Sequence, residues 1–253
     1  MPKVDPLADP TRIAVAGDWH ENGPWARKAI AHAAEQGADV IVHVGDYGYE
    51  YSAKFMKAVE TALAAAGIAL LFVDGNHENH PTLNRYAIGT NGLRQLTPHV
   101  WHMPRGFRWT WAGVRFLALG GAHSVDRPWR EPGISWWKEE WITEAQAQHA
   151  IDGGPADVLV SHDCPAGVHI PDLDRTAHLF PPLEIMRADE HRRILRRVTD
   201  AVQPSTIWHG HYHRAYETIA DLGYGPVQVT GLDCDETSLA CNVRVVDMTD
   251  LAA

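Results

Sequence analysis

Residues 68–78 read IALLFVDGNHE, an apolar run over 68–73 that passes straight into Asp74-Gly75-Asn76-His77-Glu78. A continuous apolar run of that length, closed by a polar turn, predicts a strand buried on both faces. Upstream, residues 51–66 are alanine-rich and predict a helix stopped by Gly67, and 39–44 (DVIVHV) predicts a second buried strand closing on Gly45-Asp46. Further upstream, 24–36 predicts a helix with Pro24 in its first turn and Gly37 at its stop. Residues 12–16 predict a first strand, closing on Gly17-Asp18. Strand and helix alternating at about 30-residue spacing is the βαβ pattern of a parallel sheet. Ligands of such sheets bind beyond the carboxyl ends of the strands, where these polar turns lie.

Downstream of 78 the pattern changes. Residues 99–103, 107–111 and 114–119 predict short strands, the last two joined as a hairpin around Ala112-Gly113. Residues 122–142 are loop-like and rich in tryptophan, and a short helix is expected at 143–151. A buried strand at 157–160 leads into Ser161-His162-Asp163, and 165–182 reads as a proline-punctuated loop. An amphipathic helix follows at 183–201, then a strand at 206–208 that runs into His209-Gly210-His211-Tyr212-His213. The tail is β-like at 216–219, 226–231 and 243–247. With no repeat and no linker, the expectation is an α/β fold in one domain spanning 1–253, residues 1–10 forming a loose arm.

Composition narrows the function. Lys and Arg number 22 against 32 Asp and Glu, a formal charge of −10. That balance argues against a surface built to grip duplex nucleic acid or anionic lipid, both of which need a basic footprint. A short phosphate-bearing substrate stays open, because metal ions can reverse the sign of a pocket. Cys164, Cys234 and Cys241 are too few and too scattered for a disulfide framework or a zinc knuckle. No run of 18 apolar residues exists, and MPKVDPLADP lacks the apolar stretch of a signal peptide, so a cytoplasmic protein without membrane contact is expected.

Five clusters follow predicted strands: Asp18-Trp19-His20, Gly45-Asp46, Gly75-Asn76-His77-Glu78, Ser161-His162 and Gly210-His211-Tyr212-His213. The i, i+2 spacing of Asp18 with His20, and of His211 with His213, puts each pair on one side of an extended segment. Carboxylate, amide and imidazole donors together suit manganese, iron or zinc. One strand-end aspartate alone would read as a turn or cap residue; five ordered clusters do not.

This series resembles the calcineurin-like metallophosphoesterase superfamily. The family pattern D-x-H, G-D, G-N-H-[DE], H and G-H-x-H is matched in order as DWH, GD, GNHE, SH and GHYH over residues 18–213. The resemblance implies a two-sheet β-sandwich flanked by helices, in four layers. It implies two divalent or trivalent transition-metal ions, manganese first, with iron or zinc as alternatives. Asp18, His20 and His213 would bind one ion, Asn76, His162 and His211 the other, and Asp46 would bridge them. Seven such donors are too many for one tetrahedral site. His77 would stay off the metals and act as general acid. The implied reaction is hydrolysis of a phosphodiester or small phosphorylated substrate by a metal-bridging hydroxide, with no phospho-enzyme. A phosphomonoesterase of phosphoproteins or nucleotides is the alternative, although GDYGYE lacks the aspartate-arginine continuation of the protein serine/threonine phosphatases. A non-catalytic scaffold of the same fold would have broken ligands, and here all are intact.

Other residues carry weaker expectations. His43 and His209 read as packing or supporting histidines, Glu78 and Asp163 as carboxylates that orient imidazoles, and Asp74 as a turn residue. The helix at 183–201 reads as a surface helix. His123, Arg127, Arg130 and Trp129, Trp136, Trp137 and Trp141 lie in the 122–142 segment. They fit either plain packing or one wall of a substrate pocket.

Overall fold

The structure is a computed structural model that describes residues 4–251. The first half runs β1 (Arg12–Ala16), α1 (Gly23–Glu35), β2 (Val40–His43), α2 (Ala53–Ala66), β3 (Ala69–Phe72), α3 (His80–Leu83), β4 (Arg94–Thr97) and β5 (Val100–His102). The second runs β6 (Arg108–Trp111), β7 (Val114–Leu119), α4 (Glu144–Asp152), β8 (Val158–Ser161), α5 (Leu173–Ala177), α6 (Pro182–Val202) and β9 (Thr206–His209). It closes with β10 (Tyr216–Asp221), β11 (Pro226–Gly231), α7 (Leu239–Asn242), β12 (Val243–Asp247) and α8 (Met248–Leu251).

These strands form two six-stranded sheets, ordered β12-β1-β2-β3-β5-β4 and β10-β11-β9-β8-β7-β6. Neighbours from β1 through β5 in the first sheet, and from β11 through β7 in the second, are parallel. Both edges of each sheet are antiparallel. Period-two alternation builds the layers. In β1, Ile13 and Val15 point into the space between the sheets, where they join Leu71, Phe116, Val160 and Trp208. Ala14 and Ala16 point outward to the faces of α1 and α2, among Ala29, Ile30, Val59 and Leu63. On the far side, Leu117, Leu159 and Ile207 meet Ala147 of α4 and Leu195 and Val198 of α6. The result is helix, sheet, sheet, helix, the four layers expected.

Local chemistry sets the boundaries. Asn22 caps α1 by accepting from Trp25 N at 3.1 Å, and Ser52 caps α2 from Phe55 N at 3.3 Å. The β6–β7 hairpin turns on Ala112 and Gly113, with φ of 47° and 86°, the doubly positive pair of a two-residue turn. Five short elements were not anticipated: α3, the half-buried edge strand β4, α5, which lies inside the 165–182 loop, and α7 and α8 on either side of β12. Of the expected loose arm, residues 1–3 lie outside the described residues. Residues 4–10 are tied down: Val4 and Leu7 pack on the inter-sheet core, and Asp9 accepts from Ala112 N at 2.8 Å. Among the described residues no helix is long and apolar enough to cross a membrane.

Candidate metal centre

The loops after β1, β2, β3, β8 and β9 meet at one rim and are laced together by their backbones. Trp19 N and His20 N donate to Asp46 O at 3.1 and 2.9 Å, and Gly210 N donates to His162 O at 3.1 Å. The turns are sharp: His20, Asp46, His211 and His213 have φ of 47°, 53°, 68° and 51°. Each such left-handed non-glycine residue costs about 1–3 kcal/mol, and strain of this kind gathers at functional sites. Two glycines admit the carboxylates. A Cβ on Gly75 would lie 2.1 Å from Asp46 Oδ1, and one on Gly210 2.1 Å from Asp18 Oδ1.

The donors fall into two adjoining groups. Asp18, His20 and His213 present ligand atoms within 4.8 Å of one another, and so do Asp18, Asp46 and His162. Asp18 is common to both groups, and Asp46 Oδ2 of the second reaches toward the first, 3.7 Å from His20 Nε2 and 3.4 Å from His162 Nε2. Asn76 Oδ1 is 3.0 Å from His162 Nε2, and the His211 ring lies 5.1 Å from that of His162. His213 Nε2 is 3.2 Å from Asp18 Oδ2. The fold therefore gathers all seven residues. It also fixes ring orientation: His162 Nδ1 donates to Val44 O at 2.8 Å, and His20 Nδ1 pairs with Asp235 Oδ1 at 2.8 Å. Each leaves Nε2 facing the centre, as a ligating imidazole requires. Asp235, held also by Asn22 Nδ2 at 2.7 Å, was missed from sequence.

Electrostatics test whether this donor set suits cations. Burial alone would lower His20, His162 and His213, yet the neighbouring carboxylates override it. Asp235 and Asp46 raise His20 to about 11, Asp46 raises His162 to about 10, and Asp18 raises His213 to about 10. Burial would raise Asp46, but His162 and His77 hold it well below the usual carboxylate range. Buried carboxylates that draw protons onto three imidazoles are short of positive charge. Divalent ions between them would supply it, and mixed O and N donors suit such ions.

His77 stands apart from the donors. Its backbone N–H donates to Asp46 Oδ1 at 2.9 Å, and its Nδ1 is 3.0 Å from Arg130 Nη2. A guanidinium only donates, so Nδ1 accepts and the proton resides on Nε2. Burial first, then the charge of Arg130, lower His77 to about 4. Sequence assigned His77 to proton delivery, which needs an imidazolium. Its surroundings support a neutral Nε2–H donor instead. Arg130 is also held by Ser124 Oγ at 2.6 Å; Ser124 in turn accepts from Asn76 Nδ2 at 3.0 Å and donates to Glu140 at 2.5 Å.

Several supporting expectations change. Glu78 accepts backbone N–H groups, from Gly75 at 2.6 Å and Tyr47 at 2.8 Å, rather than orienting a ring. Asp163 does orient a ring, but it is that of His191, at 2.5 Å, and it also accepts from Tyr212 Oη. Asp74 is buried and salt-bridged to Arg105 at 2.6 Å, with His102 at 3.2 Å, so it is more than a turn residue. His43 is buried against Trp19 and Tyr47, and His209 Nε2 pairs with Tyr216 Oη at 2.7 Å. His123 is buried, clamped to Glu184 at 2.7 Å.

The 122–142 segment divides between both expected roles. Trp137 is buried, Trp141 packs edge-on to His123 and His191, and Arg127 covers Trp136 at 4.5 Å. Val125 and Asp126 instead line a cleft of ≈ 550 Å³ that opens on Asp46, Asn76, His77, His211 and His213. Its other wall comes from α5, the turn after it with Phe180, and the start of α6 with Ile185. Neither element was expected to reach the site.

The calcineurin-like phosphoesterase family model matches residues 11–215. No match was found among curated proteins. Among solved structures, a protein from Thermus thermophilus is 13% identical with a TM-score of 0.58, covering 94% of this chain and 99% of its own. A dimetal phosphatase from Danio rerio is 15% identical with a TM-score of 0.59, covering 96% of this chain and 93% of its own. Both share the fold. With its five clusters converging on one rim inside the matched span, the chain belongs to the calcineurin-like phosphoesterase family.

Proposed function

We propose that this protein is a metal-dependent phosphoester hydrolase that acts on a phosphodiester or small phosphorylated molecule through two metal ions. One observation carries the reading: Asp18, His20, Asp46, His162 and His213 bring ligand-type atoms together, with Asn76 and His211 beside His162 and a cleft opening on the cluster. Asp18, His20 and His213 would hold one ion, Asn76, His162 and His211 the other, with Asp46 shared. Two ions so held supply Lewis acidity toward phosphoryl oxygens and a nucleophilic water at neutral pH. The mixed carboxylate, amide and imidazole donors suit manganese, iron or zinc.

The chain's own residues do the rest. Val44 O and Asp235 keep the His162 and His20 rings turned toward the centre. His77, free of the donor set, offers Nε2–H to the substrate's leaving oxygen, where a fixed donor stabilises developing charge. Arg130 and Ser124 hold that ring and the Asn76 amide in register. A phosphatase activity, named for the Danio rerio neighbour, is the second reading.

The test is a panel of metal-loaded protein against bis(4-nitrophenyl) phosphate, 4-nitrophenyl phosphate and cyclic nucleotides, with chelated protein and Asp46→Asn as controls. Turnover that favours the diester and is lost in both controls supports the reading. Preference for the monoester selects the phosphatase. No turnover with manganese, iron or zinc contradicts both.

A further inference from the structure

Beyond the donors, the cleft changes chemistry. Its outer wall is built from Leu173 of α5, Leu179 and Phe180 of the turn after it, Ile185 of α6 and Val125. Leu179 is 60% exposed, and the Phe180 ring lies 6.0 Å from that of Trp129, itself 65% exposed. Uncovered apolar side chains gathered at the mouth of a polar centre mark a binding surface. The charged groups along the same wall are mostly acidic: Asp126, Asp174 and Asp189. Of the two arginines that line it, Arg192 is committed to the carbonyls of Cys164 and Val168, and Arg214 donates to His213 O at 2.8 Å.

We infer that the organic group of the substrate is bulky and apolar, carries no negative charge, and lies on Phe180, Leu179 and Ile185 while its phosphoryl group faces Asp46 and His77. The inference rests on the phosphoesterase reading and adds the substrate class to it: aryl or alkyl phosphoesters rather than polyphosphates or nucleic acids. An anionic group here would meet Asp174 and Asp189, with Asp126 already paired to Arg130 at 3.7 Å, whereas an apolar one removes exposed side chains from water. In the reaction a water oxygen bonds to phosphorus and the P–O bond to the organic group breaks. The leaving oxygen takes a proton from that water, so the products are an alcohol and a phosphate.

Methyl, benzyl and 4-carboxybenzyl phosphoesters, as mono- and diesters, test this on the metal-loaded full chain, with alcohol release as the readout. The benzyl and methyl alcohols are of similar acidity, so the kcat/KM ratio reports the wall. The benzyl ester is expected to exceed both others by about 10-fold or more, the scale of a filled apolar pocket. Phe180→Ala and Ile185→Ser should each pull the benzyl-to-methyl ratio toward one with metal content unchanged; if one fails to fold, the other reads the same wall. Asp174→Asn with Asp189→Asn should raise the carboxybenzyl rate relative to benzyl. Hydrolysis of all three esters at equal kcat/KM, or a ratio untouched by every foldable variant, overturns the substrate class alone. Hydrolysis of none overturns the phosphoesterase reading and this inference with it.

Discussion

Arg130 and His77 show how one contact sets a role. Because Arg130 donates to Nδ1, the ring is neutral and carries its proton on Nε2, the atom that the proposed reaction turns toward the leaving oxygen. His77→Ala should keep metal content near normal and lower turnover by about 10²–10³, most for esters with poor leaving groups. Arg130→Met should cost about 10–100-fold in kcat with the same leaving-group bias, since it releases the ring without removing it. Equal losses for good and poor leaving groups would mean that Arg130 merely holds the loop. The residues gathered at the rim were legible because their spacing at strand ends is local. Asp235 was not, since it reaches His20 from 215 positions away. Asp74 was misread for a similar reason: its partners Arg105 and His102 come from after β5 and from β5 itself, and no local pattern encodes them.

At the scale of elements, periodicity revealed the long helices and buried strands, whereas α5 and β4 are too short and too polar to carry a period. The helix α6 was visible as amphipathic, yet Ile185 and Ala188 look like ordinary surface apolar residues until α5 stands opposite and makes a cleft. The 122–142 segment has a measurable signature of its own. Glu140, within it, is buried, and burial first, against the hydrogen bond from Ser124, raises its carboxyl to about 7. A carboxyl whose folded pKa is raised stabilises the fold fully below its unfolded value of about 4.5, and that stability is lost as pH climbs through about 7. At 1.36 kcal/mol per decade the span is roughly 3 kcal/mol. Glu140→Gln, which keeps an acceptor for Ser124 and cannot ionise, should lose less stability than the parent between pH 5 and pH 8. Parallel denaturation profiles for the two proteins across that range would contradict the assignment.

For the whole molecule, the decisive feature is the stacking of two sheets whose polar strand ends share a rim. The strand pattern alone implied a parallel core and later β segments; the resemblance supplied the second layer, because periodicity says which face of a strand is apolar but not what covers it. The inter-sheet core of Val15, Leu71, Phe116 and Trp208 then holds loops from both halves in fixed register, so strained turns such as those at Asp46 and His211 persist. The proposed chemistry needs that register to deliver two cation sites that share Asp46. Anomalous X-ray scattering from crystals of manganese-loaded protein measures it directly. Two peaks about 3.5–4 Å apart, both within bonding distance of Asp46, are the predicted result. A single peak, or two of which only one touches Asp46, would contradict it.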